Sequence, residues 1–416
     1  MSWQYLKLGD VISLKRGYDL PANKRVEGEV PVISSSGTSG WHCDYKCDGE
    51  GVVTGRYGTL GEVFYVNGQY WPLNTTLYVS DFKGNHPRFI FYYLKTIGLE
   101  RFNGAAAVPG LDRNILHRVK VKFPTQLSIQ RKIASTLSAY DELIENNNQR
   151  ISLLEETAEE LYKEWFVRMR FPGYQEASFL NENGEEVPYG TEGALPEGWV
   201  LSPLKDWFSY SRGKSYRSED LSGVNGIPFV NLKNVNRQGG FRYDGTKFYY
   251  GKYAYKNIVG PNDVIMAVTD MTQEREIVGR VARIPEGAFE LGVMSMDLIK
   301  ITSDEYSNLF VYSFFNYSNI GHVLKEFANG ANVLHLSPDV VLSYKMLMPP
   351  TSYTNEFTDI TEPIFKEIDI LSQKNQLLRE TRDLLLPRLM SGKLDVSRIS
   401  EDQHERRRQV KETAVA

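Results

Sequence analysis

The hydrophobic positions of this 416-residue chain change rhythm midway, then repeat the change. Through residues 1–125 the apolar runs are short, rich in aromatic and β-branched side chains, and broken by Gly, Pro, Asn and Ser. Gly51-Val52-Val53-Thr54 and Gly61-Glu62-Val63-Phe64-Tyr65-Val66 are examples. Such runs favour strands joined by turns, with a helix expected at 87–97. From about 126 to 167 the period becomes 3.5: Ile133, Tyr140, Asn147, Leu154 and Leu161 share one heptad position, and Leu137, Ile144, Ile151, Ala158 and Trp165 share another. Residues 199–350 return to the strand-like pattern, with a helix expected at 306–327. The heptad then recurs, with Phe357, Ile364, Leu371, Leu378 and Leu385 on one position and Thr361, Ile368, Asn375, Arg382 and Leu389 on the other. Two helices of about 42 and 37 residues are predicted, roughly 63 and 55 Å long at about 1.5 Å per residue. Neither apolar stripe is stable in water, and the simplest burial is of one against the other as an antiparallel coiled coil. Asn147 and Asn375 interrupt the seam. A buried Asn there fixes register at a cost in stability, although the pattern equally allows both to face solvent.

The repetition extends to individual residues. Trp3, Leu8, Asp10, Arg16 and Gly17 recur as Trp199, Leu204, Asp206, Arg212 and Gly213, and Val30-Pro31-Val32-Ile33 recurs as Ile227-Pro228-Phe229-Val230. Asn103-Gly104-Ala105 answers Asn329-Gly330-Ala331, and Val119–Pro124 answers Tyr344–Pro349. Leu153-Leu154-Glu155-Glu156-Thr157 answers Leu377-Leu378-Arg379-Glu380-Thr381. Each match is short; their common order identifies the chain as two copies of one unit. The expected architecture is α+β: two tandem mixed α/β domains, 1–125 and 199–350, separated by long helices at 126–170 and 351–394. An acidic connector covers 171–198, and a disordered tail covers 395–416.

Charge narrows the picture. The net −4 resides mostly in residues 171–198, which hold six acidic and no basic side chains, whereas residues 1–125 carry 15 Lys/Arg against 11 Asp/Glu and residues 199–350 carry 16 against 15. Neither domain is as basic as a lone high-affinity DNA binder usually is, so a DNA ligand would call for further positive charge from partner subunits. No run approaches a membrane span, no secretory leader is expected at Met1-Ser2-Trp3-Gln4, and two cysteines do not make a disulfide framework; a cytoplasmic protein is expected.

Catalytic signatures are missing. The lone Pro-Pro, in Met348-Pro349-Pro350-Thr351, lacks the flanks of an amino-methyltransferase tetrapeptide, and no phosphate-binding Gly-x4-Gly-Lys loop occurs. Asp263, Asp270, Glu274 and Glu276 lack a following Glu-x-Lys and read as a polar loop. His42, Cys43 and Cys47 lack the second ligand pair that zinc requires, so no metal is expected. Long donors and amides near turns suit base edges. In the first domain these are Ser34, Ser35, Ser36, Arg56, Tyr57, Asn74 and Arg113. In the second they are Lys214, Ser215, Asn231, Lys233, Asn234 and Thr269. Arg16 and Arg212, equivalent by the repeat, suit backbone phosphates, and the tail's Arg406-Arg407-Arg408 reads as solvated.

This organisation resembles the specificity subunit of type I restriction–modification enzymes over nearly the whole chain. The local carriers are Leu161-Tyr162-Lys163-Glu164-Trp165-Phe166-Val167-Arg168 running into Phe171-Pro172-Gly173, Leu386-Pro387-Arg388-Leu389-Met390-Ser391-Gly392-Lys393-Leu394, and Gly55-Arg56-Tyr57-Gly58-Thr59-Leu60-Gly61. The second domain departs at the last of these, with Ala267-Val268-Thr269-Asp270. The resemblance implies a non-catalytic reader of split double-stranded DNA targets whose helices set the gap between half-sites and dock two methyltransferase subunits. Two motor-nuclease subunits would attach to those, and S-adenosylmethionine, ATP and Mg would belong to the partners. Two other readings stay open: a self-contained methyltransferase or nuclease, and a two-headed scaffold for a ligand other than DNA.

Overall fold

A computed structural model describes residues 3–102, 110–318 and 320–396. The Asn103-Gly104-Ala105 match and the tail from 397, Arg406–Arg408 included, lie outside the described residues. The chain divides into two compact units, residues 1–146 with 375–416, and residues 147–374.

In the first unit the strands Ser13–Arg16, Thr76–Asp81, Gly51–Gly55 and Val63–Val66 form, in that order, an antiparallel sheet. A second sheet places Val30–Ser34 between Gly37–His42, antiparallel, and Trp71–Pro72, parallel. A ribbon closes the unit, Trp3–Lys7 against Lys120–Pro124 in the register Trp3↔Pro124 to Lys7↔Lys120. Helix Pro87–Thr96 begins with proline at its N-terminus and buries every side chain from Phe89 to Leu94. It joins Leu8, Val52, Leu77, Phe123, Ile133, Leu137 and Leu389 in one core.

The second unit repeats this order with additions. Ser209–Arg212, Leu298–Thr302, Val264–Ala267 and Val281–Arg283 form its four-stranded antiparallel sheet. Ile227–Val230 again lies between an antiparallel neighbour, Lys247–Tyr249, and a parallel one, Gly292–Met294. Val200–Pro203 pairs with Lys345–Met348 as the closing ribbon. Leu221–Ser222 and Ile258–Val259 are extra edge strands. The helix expected at 306–327 is split into Asn308–Tyr317 and Ile320–Leu324. Ser318 takes an extended conformation at the break, and its hydroxyl donates to the Phe314 carbonyl, 2.5 Å away, which satisfies an end-of-helix acceptor.

The two heptad segments are helices of 36 residues, Leu127–Tyr162, and 40 residues, Thr351–Met390, the first closed by a π turn at Lys163–Val167. All twenty heptad positions named above are buried or half-buried, Asn147 and Asn375 among them. Within the second unit Tyr162 meets Phe357 with ring centroids 6.0 Å apart, and Arg150 pairs with Glu367 at 2.8 Å. Within the first, Arg382 pairs with Asp141 at 2.6 Å, and Asp141 also accepts from the Tyr92 hydroxyl. The two segments of the second unit therefore run antiparallel.

The acidic stretch is more than a connector. Residues 179–196 form a small sheet, Glu186–Val187, Phe179–Leu180 and Leu195–Pro196, because Phe171, Phe179 and Ala194 are buried in the second unit's core beside Trp199. Its six carboxylates remain on the surface.

Candidate nucleic-acid interface

In the first unit four strand ends are laced into one rim by backbone hydrogen bonds. The strand ending at Arg16 passes through Gly17 to Tyr18, which bridges Leu73 in parallel and donates to the Pro72 carbonyl at 2.8 Å. Leu73 N–H donates to Ile33, Asn74 N–H to Tyr18 and Arg56 N–H to Thr75, at 2.8, 2.9 and 2.8 Å. These bonds bring Arg16, Ser34–Ser36, Arg56, Tyr57 and Asn74 together. Gly17 permits the crossing, since a Cβ there would lie 2.2 Å from the Leu73 carbonyl oxygen.

The second unit builds the same rim. Lys214 bridges Ser295 in parallel, Lys214 N–H donates to Met294 at 2.7 Å, Ser295 N–H to Val230 at 2.8 Å, Met296 N–H to Lys214 at 2.9 Å, and Val268 N–H to Asp297 at 2.9 Å. Gly213 repeats Gly17, its would-be Cβ 1.9 Å from the Ser295 carbonyl oxygen. One backbone frame thus appears twice, and the residues hung on it differ. Tyr18 corresponds to Lys214, Arg56 to Val268, Tyr57 to Thr269 and Asn74 to Met296.

The fates of the side chains differ accordingly. In the first unit the Arg56 guanidinium lies over the Tyr57 ring, 4.4 Å from its centroid, and that ring is partly exposed. Tyr57 also bridges Gly110, and Leu111 N–H donates to Arg56 at 2.9 Å. Arg113 follows as the exposed first residue of a short helix capped by Asp112. Ser34 and Ser36 share a hydrogen bond at 3.1 Å at the tip of a hairpin. Asn74 donates its amide to Asp19, whose other neighbour is Arg16 at 3.8 Å. Tyr18 and Asp19 belong to this rim and were not singled out from the sequence; their only signal was adjacency to the repeated Arg-Gly pair.

In the second unit Arg212, Ser215 and Lys233 are exposed and Lys214 half-buried. Asn231, Asn234 and Thr269 are not presented. Asn234 is fully buried, donating to the Arg242 carbonyl and the Thr246 hydroxyl and accepting from Asn231 N–H at 2.9 Å. Asn231 caps Lys233 N–H and holds the Gly245 carbonyl at 2.9 Å. Thr269 is buried in a strand paired with His335. Beside it Asp270 accepts from Thr272, Ile277 and Val278 amides. Burial opposes its charge, but these donors outweigh burial and hold the carboxyl below its ordinary value.

His42 accepts from Val26 N–H at 3.0 Å and packs against Trp71, Cys43 is exposed, and burial pushes the Cys47 thiol up, so the three do not form a ligand set. Asp263 pairs with Lys300 at 3.3 Å and Glu276 with Arg237 at 2.9 Å, and among the described residues no three candidate metal ligands converge. No described helix is long and apolar enough to cross a membrane.

Comparison with known proteins places these features. Residues 1–156 match the family model described as type I restriction modification DNA specificity domain. The chain is 23% identical to the MjaIX type I restriction enzyme specificity subunit of Methanocaldococcus jannaschii, covering 95% of this chain and 94% of the relative. It is 23% identical to the EcoKI specificity subunit of Escherichia coli over 49% of this chain and 44% of that one. The crystal structure of a type I restriction-modification S subunit from M. genitalium superposes with a TM-score of 0.59 at 16% identity, covering 94% and 96% of the two chains, which establishes a shared fold.

Proposed function

We propose, from the premise that the chain belongs to the type I restriction–modification specificity family, that it is the DNA-reading subunit of such a complex and performs no chemistry itself. The observation that carries this is the duplicated rim, one backbone frame on which Arg56, Tyr57 and Asn74 of one unit are answered in the other by buried Val268, buried Thr269 and exposed Met296. A frame used twice with different side chains suits two readers of two different half-sites. We assign Arg56 to a guanine edge, with Ser35, Ser36, Tyr57, Asn74 and Arg113 as the other readers of the first unit. Lys214, Ser215 and Lys233 act in the second unit, with Arg16 and Arg212 on phosphates. Asn231, Asn234 and Thr269 act through the fold.

The long helices pair as an antiparallel coiled coil that fixes the spacer between half-sites and docks two methyltransferase subunits, and two motor-nuclease subunits join through them. S-adenosylmethionine, ATP and Mg are held by those partners, in the cytoplasm. A fixed spacer is needed because two readers face the groove together only at set separations on a duplex that turns every ~34 Å.

Methylome sequencing of a host carrying the complete system tests the reading. Exchange of residues 1–125 for another recognition domain changes one half-site and leaves the other unchanged. A change in both half-sites, or substantial methyl transfer from labelled S-adenosylmethionine by the isolated chain, defeats it. Insertion of one heptad into one long helix adds about 10.5 Å of rise and changes the spacer or destroys assembly, with the half-site bases unchanged.

A further inference from the structure

The second unit carries an exposed surface beyond its rim. A cleft of about 300 Å³ has Lys214, Tyr216, Arg217, Asp220, Tyr249 and Lys252 in its lining. Its floor is rigid: Phe229 stacks on Tyr249 with centroids 5.3 Å apart and meets Tyr216 edge-on at 4.8 Å. Asp220 is already engaged, accepting from Arg217 N–H at 3.0 Å. The remaining local acid, Glu219, is exposed and sits 3.3 Å from the exposed Arg217 guanidinium.

The segment beyond the cleft alternates ring and cation, Tyr249-Tyr250-Gly251-Lys252-Tyr253-Ala254-Tyr255-Lys256, with no acidic residue. Tyr250 and Tyr255 are 61% and 90% exposed, values that folding alone does not explain for so apolar a side chain. The segment is nonetheless ordered. Buried Asn257 accepts from Ala254 N–H and donates to the Arg212 carbonyl, both at 3.0 Å, which ties the loop to the rim strand.

We propose that this cleft and loop grip the sugar–phosphate backbone of duplex DNA flanking the half-site read by the second unit. Arg217 and Lys252 meet phosphates while Tyr253 and Tyr255 lie against sugars. The inference rests on the DNA-reading assignment and adds to it a contact that raises affinity without reading bases. The charge decides the occupant: three cations, Lys214, Arg217 and Lys252, against two acids, Asp220 and Glu219, with rings placed outside the cleft, match a polyanion with apolar sugar faces better than a small anion.

The test uses the full chain assembled with its methyltransferase partners and a duplex containing its methylated motif. Arg217→Gln and Lys252→Gln combined remove two phosphate contacts, and the slope of log K against log salt falls by about 1.8, at about 0.9 per contact. The wild type's advantage over the variant then shrinks about 12-fold between about 50 and 200 mM salt, with the methylated motif unchanged. Tyr255→Ala, at a position too exposed to affect folding, independently weakens binding several-fold. An unaltered salt slope in a folded double variant overturns the inference alone, as does a changed motif, which would make these residues base readers. Failure of the wild-type complex to bind duplex DNA overturns the DNA-reading assignment with it.

Discussion

Arg283 and Asp369 offer the most direct test of how the second unit holds its strands to its helix. Both side chains are almost fully buried, at 6% and 4% exposure, and the pair is bidentate, at 2.6 and 2.9 Å. Asp369 also accepts from Glu286 N–H at 2.9 Å, Arg283 donates to Asn262 at 2.7 Å, and the guanidinium lies 5.2 Å from the Phe365 ring centroid. Both terminal guanidinium nitrogens and both carboxylate oxygens are thus engaged, and removal of one partner strands a buried charge. Loss of one member of such a pair costs about 3–5 kcal/mol, and in a unit of this size each kcal/mol lowers Tm by about 2–4 °C. Asp369→Leu is therefore expected to lower the melting of the second unit by roughly 6–20 °C. Arg283→Met alone should be comparably damaging, because it leaves Asp369 unpaired. The double variant Arg283→Met, Asp369→Leu should be more stable than either single one, since apolar groups of similar volume can replace a buried pair at little cost. Calorimetry of the three variants measures the cycle. Singles within about 1 kcal/mol of wild type, or a double variant losing the sum of both, would show that the pair is hydrated and the burial argument wrong.

Three further outcomes follow from the same geometry. Gly17→Ala and Gly213→Ala each drive a Cβ to about 2 Å from a carbonyl oxygen and should lose about 1–3 kcal/mol by overpacking, read as lowered urea midpoints. Arg56→Ala should weaken specific binding roughly 5- to 150-fold, as for loss of a bidentate base contact, and relax a single position of one half-site in methylome sequencing; uniform weakening across sequences would assign it to phosphate. His117 accepts from Leu14 N–H at 2.9 Å, and burial, aided by Lys83 and Arg113, holds it below its ordinary 6.5. The folded state favours the neutral ring, so its contribution is complete above 6.5 and is lost as pH falls through the lowered value. His117→Gln should accordingly lose less Tm than wild type between about pH 7.5 and about pH 5.5.

The helices were legible because a 3.5-residue period is a direct geometric consequence of one buried stripe, and even Arg382 on that stripe is accounted for by Asp141. The duplicated rim was legible only as a repeat of Arg-Gly, since its lacing consists of backbone groups that leave little trace in side-chain identity. Asn231 and Asn234 looked like adenine readers because an amide has the same chemistry whether it faces a base or caps a turn. Their spacing of three is the pattern of reciprocal capping, and that signal was present. Thr269 was misjudged for the opposite reason: its equivalent, Tyr57, is exposed, and the repeat carries position without carrying burial. The acidic stretch 171–198 read as linker because its charges dominate the composition, while three buried side chains, Phe171, Phe179 and Ala194, suffice to fold it.

The division of labour between frame and rim bears on how such a reader changes its target. The lacing bonds join amides and carbonyls, so their strength is nearly independent of what Arg56, Tyr57 or Asn74 become, provided Gly17 and Gly213 leave room for the crossing. Exposed substitutions of that kind typically move stability by less than about 0.5 kcal/mol. Sequence preference can therefore drift while folding stays under the control of buried residues such as Phe89, Phe123 and Phe310. The converse holds for Asp270, whose carboxylate orders the loop from 272 to 278 with three amide bonds. There the side chain is itself part of the frame, so the second unit has less freedom at this corner than the first has at Tyr57-Gly58. Divergence should accumulate faster at Arg56 and Tyr57 than at Thr269 and Asp270, even though the two corners occupy the same place in the fold.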